Sequence, residues 1–311
     1  MKIKALIVKI SILGSLIILM YVGAAYNLSQ NFVDSYYHKF TYKSGSLIIG
    51  LSRGIYGVTP EVIEEEFNQE INKPVLNFAF DRVQSPYGDI LLKAIKHKID
   101  TTSSNGLFIL SVSPASFFIS NKINEENVKK IDEDKYLDRM TKFNMNPNFE
   151  YIRKCYDGSL YRGFIGSPEN IRKSHTNGWI EFKEGFGSYK VSETQIKGWK
   201  EENFLGYLKV GENQIKSEYR ISKFEQTITY LKKHGKVVLV RLPLDKDFVD
   251  LENNFWKNFD NEMATISENQ NVPYLNYTTA SNTYETFDGS HLFGYSAKLF
   301  TKKLCDDIKN K

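Results

Sequence analysis

The sequence predicts an α/β fold built on a parallel β-sheet and preceded by an apolar N-terminal helix. Short apolar runs alternate with amphipathic segments before the middle of the chain and again near its end, an order that gives parallel strands with right-handed crossovers. The segment Ile10–Tyr26 carries no charge. We therefore expect a membrane anchor over residues 1–26, a linker over 27–44, and a domain over 45–311 with an insertion at about 114–218.

The composition is that of a globular protein with little charge bias. Of 311 residues, 41% are hydrophobic, and 41 basic against 37 acidic side chains give a net charge of +4. Because no dense stripe of lysine and arginine stands out, we expect no nucleic-acid partner. Cys155 and Cys305 are expected to be separate buried thiols, with a disulfide as the alternative. No Cys/His cluster has metal-site spacing, so no metal or cofactor is expected.

The N-terminal apolar segment is long enough to cross a hydrocarbon core of about 30 Å as a helix. Lys2, Lys4 and Lys9 precede it, so the positive-inside rule places the N-terminus in the cytoplasm and the domain outside. The alternative is a signal peptide cleaved near Val22-Gly23-Ala24. Both interpretations export the domain.

Apolar runs and helix-start signals predict the elements of the domain. Strands are expected at Ser46–Gly50, Pro74–Phe80, Gly106–Val112, Lys236–Leu242 and Val272–Leu275. Helices are expected from Thr59-Pro60, from Ser85-Pro86, at 222–234, at 247–267 and from Gly294. The middle of the chain is interpreted as an insertion over the carboxyl edge of the sheet, since structureless loops of that length are uncommon.

Ser52 is the candidate nucleophile, because it follows the first predicted strand in Gly50-Leu51-Ser52-Arg53-Gly54. Reactive groups in open parallel sheets gather at strand carboxyl ends, and glycines permit a tight turn there. A serine hydroxyl needs a base. His291 lies in a loop before the last helix, three residues after Asp288, a spacing that lets the carboxylate hold the ring with Nε2 free. Both loops are expected at the same sheet edge.

The Gly-x-Ser-x-Gly pattern also occurs in the nucleophile elbow of α/β-hydrolases. That fold places several strands before the serine, whereas only the predicted anchor and linker precede Ser52. An aspartate three residues from the histidine is also unlike that fold. We therefore favour a nucleophile on the first strand.

The two blocks resemble those of the SGNH (GDSL-like) hydrolase superfamily. Leu51 stands where that family has Asp or Ser, while Asp288-Gly289-Ser290-His291-Leu292 matches its last block. The chain looks most like the membrane-anchored subgroup of cell-envelope polysaccharide pathways, which includes the D-alanyl transfer protein of teichoic-acid modification; Asn77-Phe78-Ala79 resembles its second block. The resemblance spans Ser46–Val112 and Lys236–Ile308, and it implies a flavodoxin-like three-layer parallel sheet.

The resemblance also implies an oxyanion hole, with two departures from the family pattern. The family uses the serine N–H, a glycine of the second block and an asparagine of the third. The corresponding candidates are Ser52, Ala79 and Ser113, since Ala79 replaces the glycine and Ser113-Pro114 occurs without Gly-x-Asn-Asp. Losing one donor typically costs about 100–1000-fold in rate. A weak hydrolase and a transferase with another oxyanion arrangement both stay open.

Arg53 and Arg241, near predicted strand ends, are candidates for binding an anionic substrate group, with a structural ion pair as the alternative. The resemblance implies a serine esterase or O-acyltransferase acting on acyl esters of an extracytoplasmic glycan or envelope polymer. A membrane-embedded acyltransferase is the partner expected for transfer to a sugar hydroxyl. The alternative is a non-catalytic SGNH-like scaffold that binds an envelope glycan or such a partner.

Overall fold

A computed structural model shows an α/β fold and describes residues 2–81, 84–85, 87–102, 104–133, 135–166, 170–280 and 283–311. The helices are α1 (Lys2–Gln30), α2 (Ser52–Gly57), α3 (Pro60–Phe67), α4 (Asp89–Lys98), α5 (Glu125–Glu133), α6 (Phe149–Lys154), α7 (Arg162–Ile165), α8 (Glu193–Gly211), α9 (Glu218–Leu231), α10 (Lys246–Phe255), α11 (Phe259–Gln270) and α12 (Gly294–Lys309). The strands are β1 (Ser46–Ile49), β2 (Val75–Asn77), β3 (Gly106–Ser111), β4 (Phe118–Ser120), β5 (Arg172–Ser174), β6 (Ile180–Phe182), β7 (Gly185–Phe186), β8 (Tyr189–Lys190), β9 (Gln214–Lys216), β10 (Gly235–Arg241) and β11 (Tyr274–Asn276).

The central sheet of the described residues has five parallel strands in the order β2-β1-β3-β10-β11. β1 therefore lies between β2 and β3, with Leu47 opposite Leu76 on one side and Phe108 on the other. All four residues of β1 are buried, as expected for a parallel strand covered on both faces. The predicted α/β fold with a parallel sheet is confirmed.

Helices cover both faces of this sheet. Successive residues of β1 point to opposite faces, so Leu47 and Ile49 belong to one hydrophobic core and Ile48 to the other. The first core contains the apolar faces of α4, α9 and α11, and the second contains those of α3 and α12. The loops that follow the carboxyl ends of the strands lie at one edge of the sheet, between the two helical layers.

The helix predicted at 247–267 is wrong, because the structure divides it into α10 and α11. Trp256 ends α10 and turns its ring into the first core, where it packs 5.2 Å from Phe259 and 5.5 Å from Phe118. Its Nε1–H donates to Glu262 at 2.8 Å, so the break is both packed and hydrogen-bonded. Helix α9 also begins four residues earlier than predicted, since the Ser217 side chain accepts from the Arg220 N–H and caps it.

The predicted strand at Pro74–Phe80 is shorter, since β2 ends at Asn77. The chain nevertheless stays beside β1 beyond that point. The Phe78 N–H donates to the Ile48 carbonyl at 2.8 Å, and the Phe80 N–H donates to the Gly50 carbonyl at 3.0 Å. The other strands differ from their predicted bounds by one or two residues at an end.

Helix α1 is long and apolar enough to cross a membrane, and its apolar side chains are exposed to the surroundings. It continues past the predicted end of the anchor at residue 26. In these last turns Ala25 and Leu28 are fully buried against the domain. The helix is therefore packed onto the domain at the end where the apolar run stops.

Residues 27–44, predicted as a linker, belong to the packed fold. Tyr37 and Phe40 are fully buried in the first core, and Lys39 is buried beside them. The Lys39 ammonium donates to the carbonyls of Asn77 and of Gly178, the latter at 2.8 Å. Aromatic side chains spaced along a polar segment thus give it a buried face that composition alone does not reveal.

Stability is expected to rise with pH because of Lys39. Burial removes the hydration of its ammonium and lowers its pKa from 10.5 to about 7, although the charge of Asp81 opposes that shift. Between these values the unfolded chain binds more protons than the native chain, so the free energy of unfolding increases with pH by up to about 1.4 kcal/mol per pH unit for this group. Urea unfolding of the parent and of Lys39→Met across this range measures the slope. An equal slope in both proteins would contradict the assignment.

The predicted insertion consists of a first part, residues 114–166, and a second part, residues 170–218, and a strand near its beginning pairs with a strand near its end. β4 and β9 are antiparallel, with Phe118 opposite Lys216. In the first part, Phe143 and Tyr151 join the first core beside Phe40 and Tyr37. In the second part, α8 lies at the carboxyl edge of the sheet, where Asn203 donates to the Asp288 carbonyl in the loop before α12 at 3.0 Å. Cys155 and Cys305 are buried and free, as predicted.

Candidate active site

The structure brings Ser52, His291 and Asp288 together in one hydrogen-bonded chain. Ser52 Oγ lies 2.7 Å from His291 Nε2, and His291 Nδ1 lies 2.7 Å from Asp288 Oδ2. A separation above about 6 Å between the serine and the ring would have excluded proton transfer between them. The order hydroxyl, imidazole, carboxylate is the one required to activate a hydroxyl as a nucleophile.

The Asp288 carboxylate is held by its own loop. Its Oδ1 accepts from the backbone N–H groups of Ser290 at 3.0 Å and His291 at 2.9 Å, while Oδ2 faces the ring. Burial favours the neutral acid, but the charge and hydrogen bond of His291 and the two backbone donors outweigh it, so the pKa of Asp288 is below its ordinary value. The carboxylate therefore remains charged and fixes the Nδ1–H tautomer.

Aromatic side chains hold the His291 ring in place. Phe287 stacks on it at 5.7 Å, and Tyr56 of α2 meets its edge at 5.2 Å. The side chains of His291 and Asp288 are only 12% and 15% exposed. The ring thus has little freedom to leave the hydrogen bond with Ser52.

Ser52 begins α2 directly beyond β1, where a sharp turn is needed. Gly50 has a φ of +148°, and a Cβ on it would lie 2.7 Å from the Cβ of Ser111 on β3. Asn77 at the end of β2 holds α2 from the other side, because its side-chain amide donates to the carbonyls of Gly54 at 2.8 Å and Val58 at 3.1 Å. Strands on both sides of β1 therefore position the nucleophile.

Gly50→Ala is expected to lower the free energy of unfolding by about 1–3 kcal/mol and to reduce activity, because the added methyl overlaps Ser111 at an unfavourable φ. The matched control is Gly198→Ala in α8, where nothing lies within 4 Å of the added Cβ. There the substitution should stabilise by about 0.5–1 kcal/mol. Urea unfolding measures both, and a neutral Gly50→Ala would show that the turn tolerates a side chain.

Arg53 and Arg241 form ion pairs, which is the alternative that the sequence left open to substrate binding. Both contact the buried carboxylate of Glu252. A guanidinium nitrogen of Arg53 lies 2.8 Å from Glu252 Oε1, an ion pair whose angles do not meet the geometry of a hydrogen bond. Arg241 donates a hydrogen bond to Glu252 Oε2 at 2.9 Å. Arg241 also pairs with Asp260 at 2.6 Å. Arg53 Nε donates to the Ser290 hydroxyl at 2.9 Å. Arg53 therefore joins the helix of Ser52 to the loop of His291.

Two of the predicted oxyanion donors already have partners within the protein. The Ala79 N–H donates to the side-chain oxygen of Asn77 at 3.2 Å, because that side chain turns back on its own strand end. The Ser113 N–H donates to Ser116 Oγ at 3.2 Å, as part of a capping box. The Ser52 N–H lies in the first turn of α2, where amides have no intrahelical acceptor. Of the three candidates, Ser52 is the one whose N–H is left available by this geometry.

An open cleft of about 640 Å³ borders Asp288 and is formed largely by the second part of the insertion. Asn203 of α8 donates to the Asp288 carbonyl at 3.0 Å, so α8 is attached directly to the loop of the relay. Aromatic, amide and charged side chains line the cleft together: Asn170, Ile171, Arg172, Phe182, Trp199, Glu202, Asn203, Gly206, Phe287 and Asp288.

Apart from Asp288, which was predicted, sequence reasoning missed these cleft residues and Glu252, since only the folding of distant segments brings them to the sheet edge. The other histidines lie outside the relay. His175 is hydrogen-bonded to Glu181 at 3.0 Å, and His97 stacks on Phe143. Within the described ranges, no three His, Cys, Asp or Glu side chains are grouped so that they could hold a metal ion.

No model of a known protein family matches the chain, and no curated protein is significantly similar to it.

Proposed function

We propose that the protein is a serine esterase or O-acyltransferase of the SGNH type that acts on acyl esters of an extracytoplasmic glycan. The observation that carries the proposal is the 2.7 Å contact between Ser52 Oγ and His291 Nε2, with Asp288 on the far side of the ring. Its place at the carboxyl end of β1, between β2 and β3, supports the same fold type. The three-residue spacing of Asp288 and His291 resembles the last block of the SGNH family and supports assignment to that type.

The relay can carry a complete acyl-transfer cycle. Ser52 Oγ attacks the acyl carbonyl as its proton passes to His291 Nε2, and the resulting tetrahedral oxyanion collapses to an acyl-serine. The leaving alcohol takes the proton from His291. Water or a sugar hydroxyl then gives its proton to His291, attacks the acyl-serine and releases the serine oxygen, which is reprotonated. Water as acceptor gives hydrolysis, and a sugar hydroxyl gives O-acyl transfer.

The cleft beside Asp288 supports a glycan substrate. Trp199 supplies partly exposed aromatic surface, with the buried rings of Phe182 and Phe287 behind it, and Asn170 and Asn203 supply amides that can donate and accept hydrogen bonds. The volume and open shape of the cleft leave room for more than a small acyl ester, so a chain of sugar rings can lie in it beside the relay.

The exposed apolar surface of α1 supports a single-pass anchor with a cytoplasmic N-terminus and an extracytoplasmic domain. A membrane-embedded acyltransferase remains the proposed partner for the transfer reaction, because an acyl group used outside the cytoplasm has to be delivered across the membrane.

A second candidate function is a non-catalytic scaffold that binds an envelope glycan or a membrane partner. The occupied N–H groups of Ala79 and Ser113 favour it, because a hole with one donor stabilises an oxyanion poorly. The two candidates differ in whether Ser52 reacts.

Fluorophosphonate labelling tests the proposal, because the probe reacts covalently only with an activated serine. We expect labelling of the full-length protein in detergent, with mass spectrometry assigning the adduct to Ser52, and none in Ser52→Ala. Ser222→Ala, at an exposed serine of α9, is the matched control and should still be labelled. An unlabelled parent, together with a Ser52→Ala variant that keeps its function in cells, would favour the scaffold.

A further inference from the structure

The short helix α7 carries the most exposed large hydrophobic side chains outside α1 in the described part of the chain. Tyr161 and Phe164 are each 64% exposed and Ile165 is 63% exposed. We call these three residues the α7 patch. Other exposed apolar residues, such as Leu205 and Leu299, lie on separate helices. The rings of Tyr161 and Phe164 lie 6.4 Å apart and Ile165 is the next residue, a concentration of exposed apolar side chains that soluble surfaces seldom display without a partner.

The α7 patch is attached to the end of the apolar helix α1. The Gly163 carbonyl accepts from the side-chain amides of Asn27 at 2.7 Å and Asn31 at 3.1 Å. Gly163 also packs against the backbone of Leu28, so closely that a Cβ would lie 2.7 Å from the Leu28 nitrogen. Helix α7 therefore has a fixed position beside the last turns of α1.

This position is the level at which α1 leaves the bilayer. The apolar run ends at Tyr26, and the polar Asn27 is the next residue, so α7 lies within about one helical turn, or roughly 5 Å, of the end of the run. Tyrosine is enriched at that depth in membrane proteins. Arg162, which is exposed between the patch residues, can pair with lipid phosphates.

We propose that the α7 patch docks on the lipid surface, with Phe164 and Ile165 inserted at the boundary between headgroups and acyl chains. The occupant is the bilayer rather than a protein, because the patch continues the exposed apolar surface of α1. The domain is thereby held to the membrane at two places and keeps one orientation. The inference rests on the anchoring of α1 and is independent of the chemistry at Ser52.

Depth-dependent quenching in reconstituted vesicles tests the proposal. The full chain is placed in phosphatidylcholine and phosphatidylglycerol vesicles, with an NBD fluorophore on Phe164→Cys and nitroxide lipids as quenchers. Burial raises the pKa of both native thiols, Cys155 and Cys305, to about 12, so they stay unlabelled. We expect quenching and a blue-shifted emission at position 164. Leu299→Cys, equally exposed on α12, is the matched control and should show neither.

Two further variants separate docking from mere proximity to α1. Adding Tyr161→Ser and Ile165→Ser to Phe164→Cys should abolish the quenching while the unfolding midpoint is unchanged, because these side chains are exposed. Quenching that persists in this variant overturns the proposal. Leu16→Cys reports α1 itself: quenching there but not at position 164 overturns docking, whereas quenching at neither position overturns the anchor together with docking.

Discussion

His291→Gln is expected to lower kcat for p-nitrophenyl acetate hydrolysis by about 10⁴–10⁶-fold, since glutamine cannot accept the Ser52 proton. Asp288→Asn should cost less, about 10⁴-fold, because the ring remains but loses the carboxylate that fixes its tautomer. The lowered pKa of Asp288 means that this carboxylate is charged in the parent throughout the usual assay range. Initial rates over a range of substrate concentrations measure both losses.

The order of these losses is specific to a relay. His97→Gln, on the exposed side of α4, is the matched control and should leave kcat unchanged. Urea unfolding of each variant checks that the fold is retained. If His291→Gln kept its rate within about tenfold of the parent, the short contact with Ser52 would have no catalytic role.

Glu252→Gln is expected to lower the free energy of unfolding by about 3–5 kcal/mol, because it leaves the buried Arg53 guanidinium without its counter-charge and leaves Arg241 with Asp260 alone. Arg53 is 6% exposed and Arg241 is fully buried, and both face this carboxylate. Activity should fall as well, since Arg53 also donates to Ser290 between the two relay residues of the loop. Chemical unfolding followed by tryptophan fluorescence measures the stability change.

The matched control for Glu252 lies two residues earlier on α10. Asp250 pairs with Lys246, and their side chains are 54% and 69% exposed, so Asp250→Asn should cost no more than about 1 kcal/mol. A similar loss of stability for both substitutions would show that the buried ion pairs of Glu252 contribute no more to stability than an exposed pair.

The parts of the site that the sequence predicts are those coded locally. Ser52 follows a strand, and Asp288 and His291 share one loop, so strand order alone is sufficient to expect them at one edge. The Arg53–Glu252–Arg241 network could not be predicted, because Glu252 comes from a helix whose orientation depends on the break at Trp256. Periodicity continues across that break, which explains why a single helix was expected there.

The parallel sheet was predictable because its strands are short, wholly apolar runs. The packing of residues 27–44 was not, since a polar segment with widely spaced aromatics has no period that marks it as strand or helix. The arrangement of the oxyanion donors could not be predicted from the sequence either. Whether the Ala79 N–H is free depends on the rotamer of Asn77, which backbone pattern does not determine.

The buried segment between α1 and β1 fixes the distance between Ser52 and the end of α1. A flexible chain of residues 31–44 would let a tethered domain sweep distances of about 20 Å. Here Tyr37, Phe40 and Lys39 are packed into the domain, and Asn27 is hydrogen-bonded to α7. The segment therefore does not act as a flexible tether. Under the proposed function, with α1 in the bilayer, this packing would hold Ser52 at one fixed height, and acyl groups on a polymer would be accessible only as their sugar units pass through that plane.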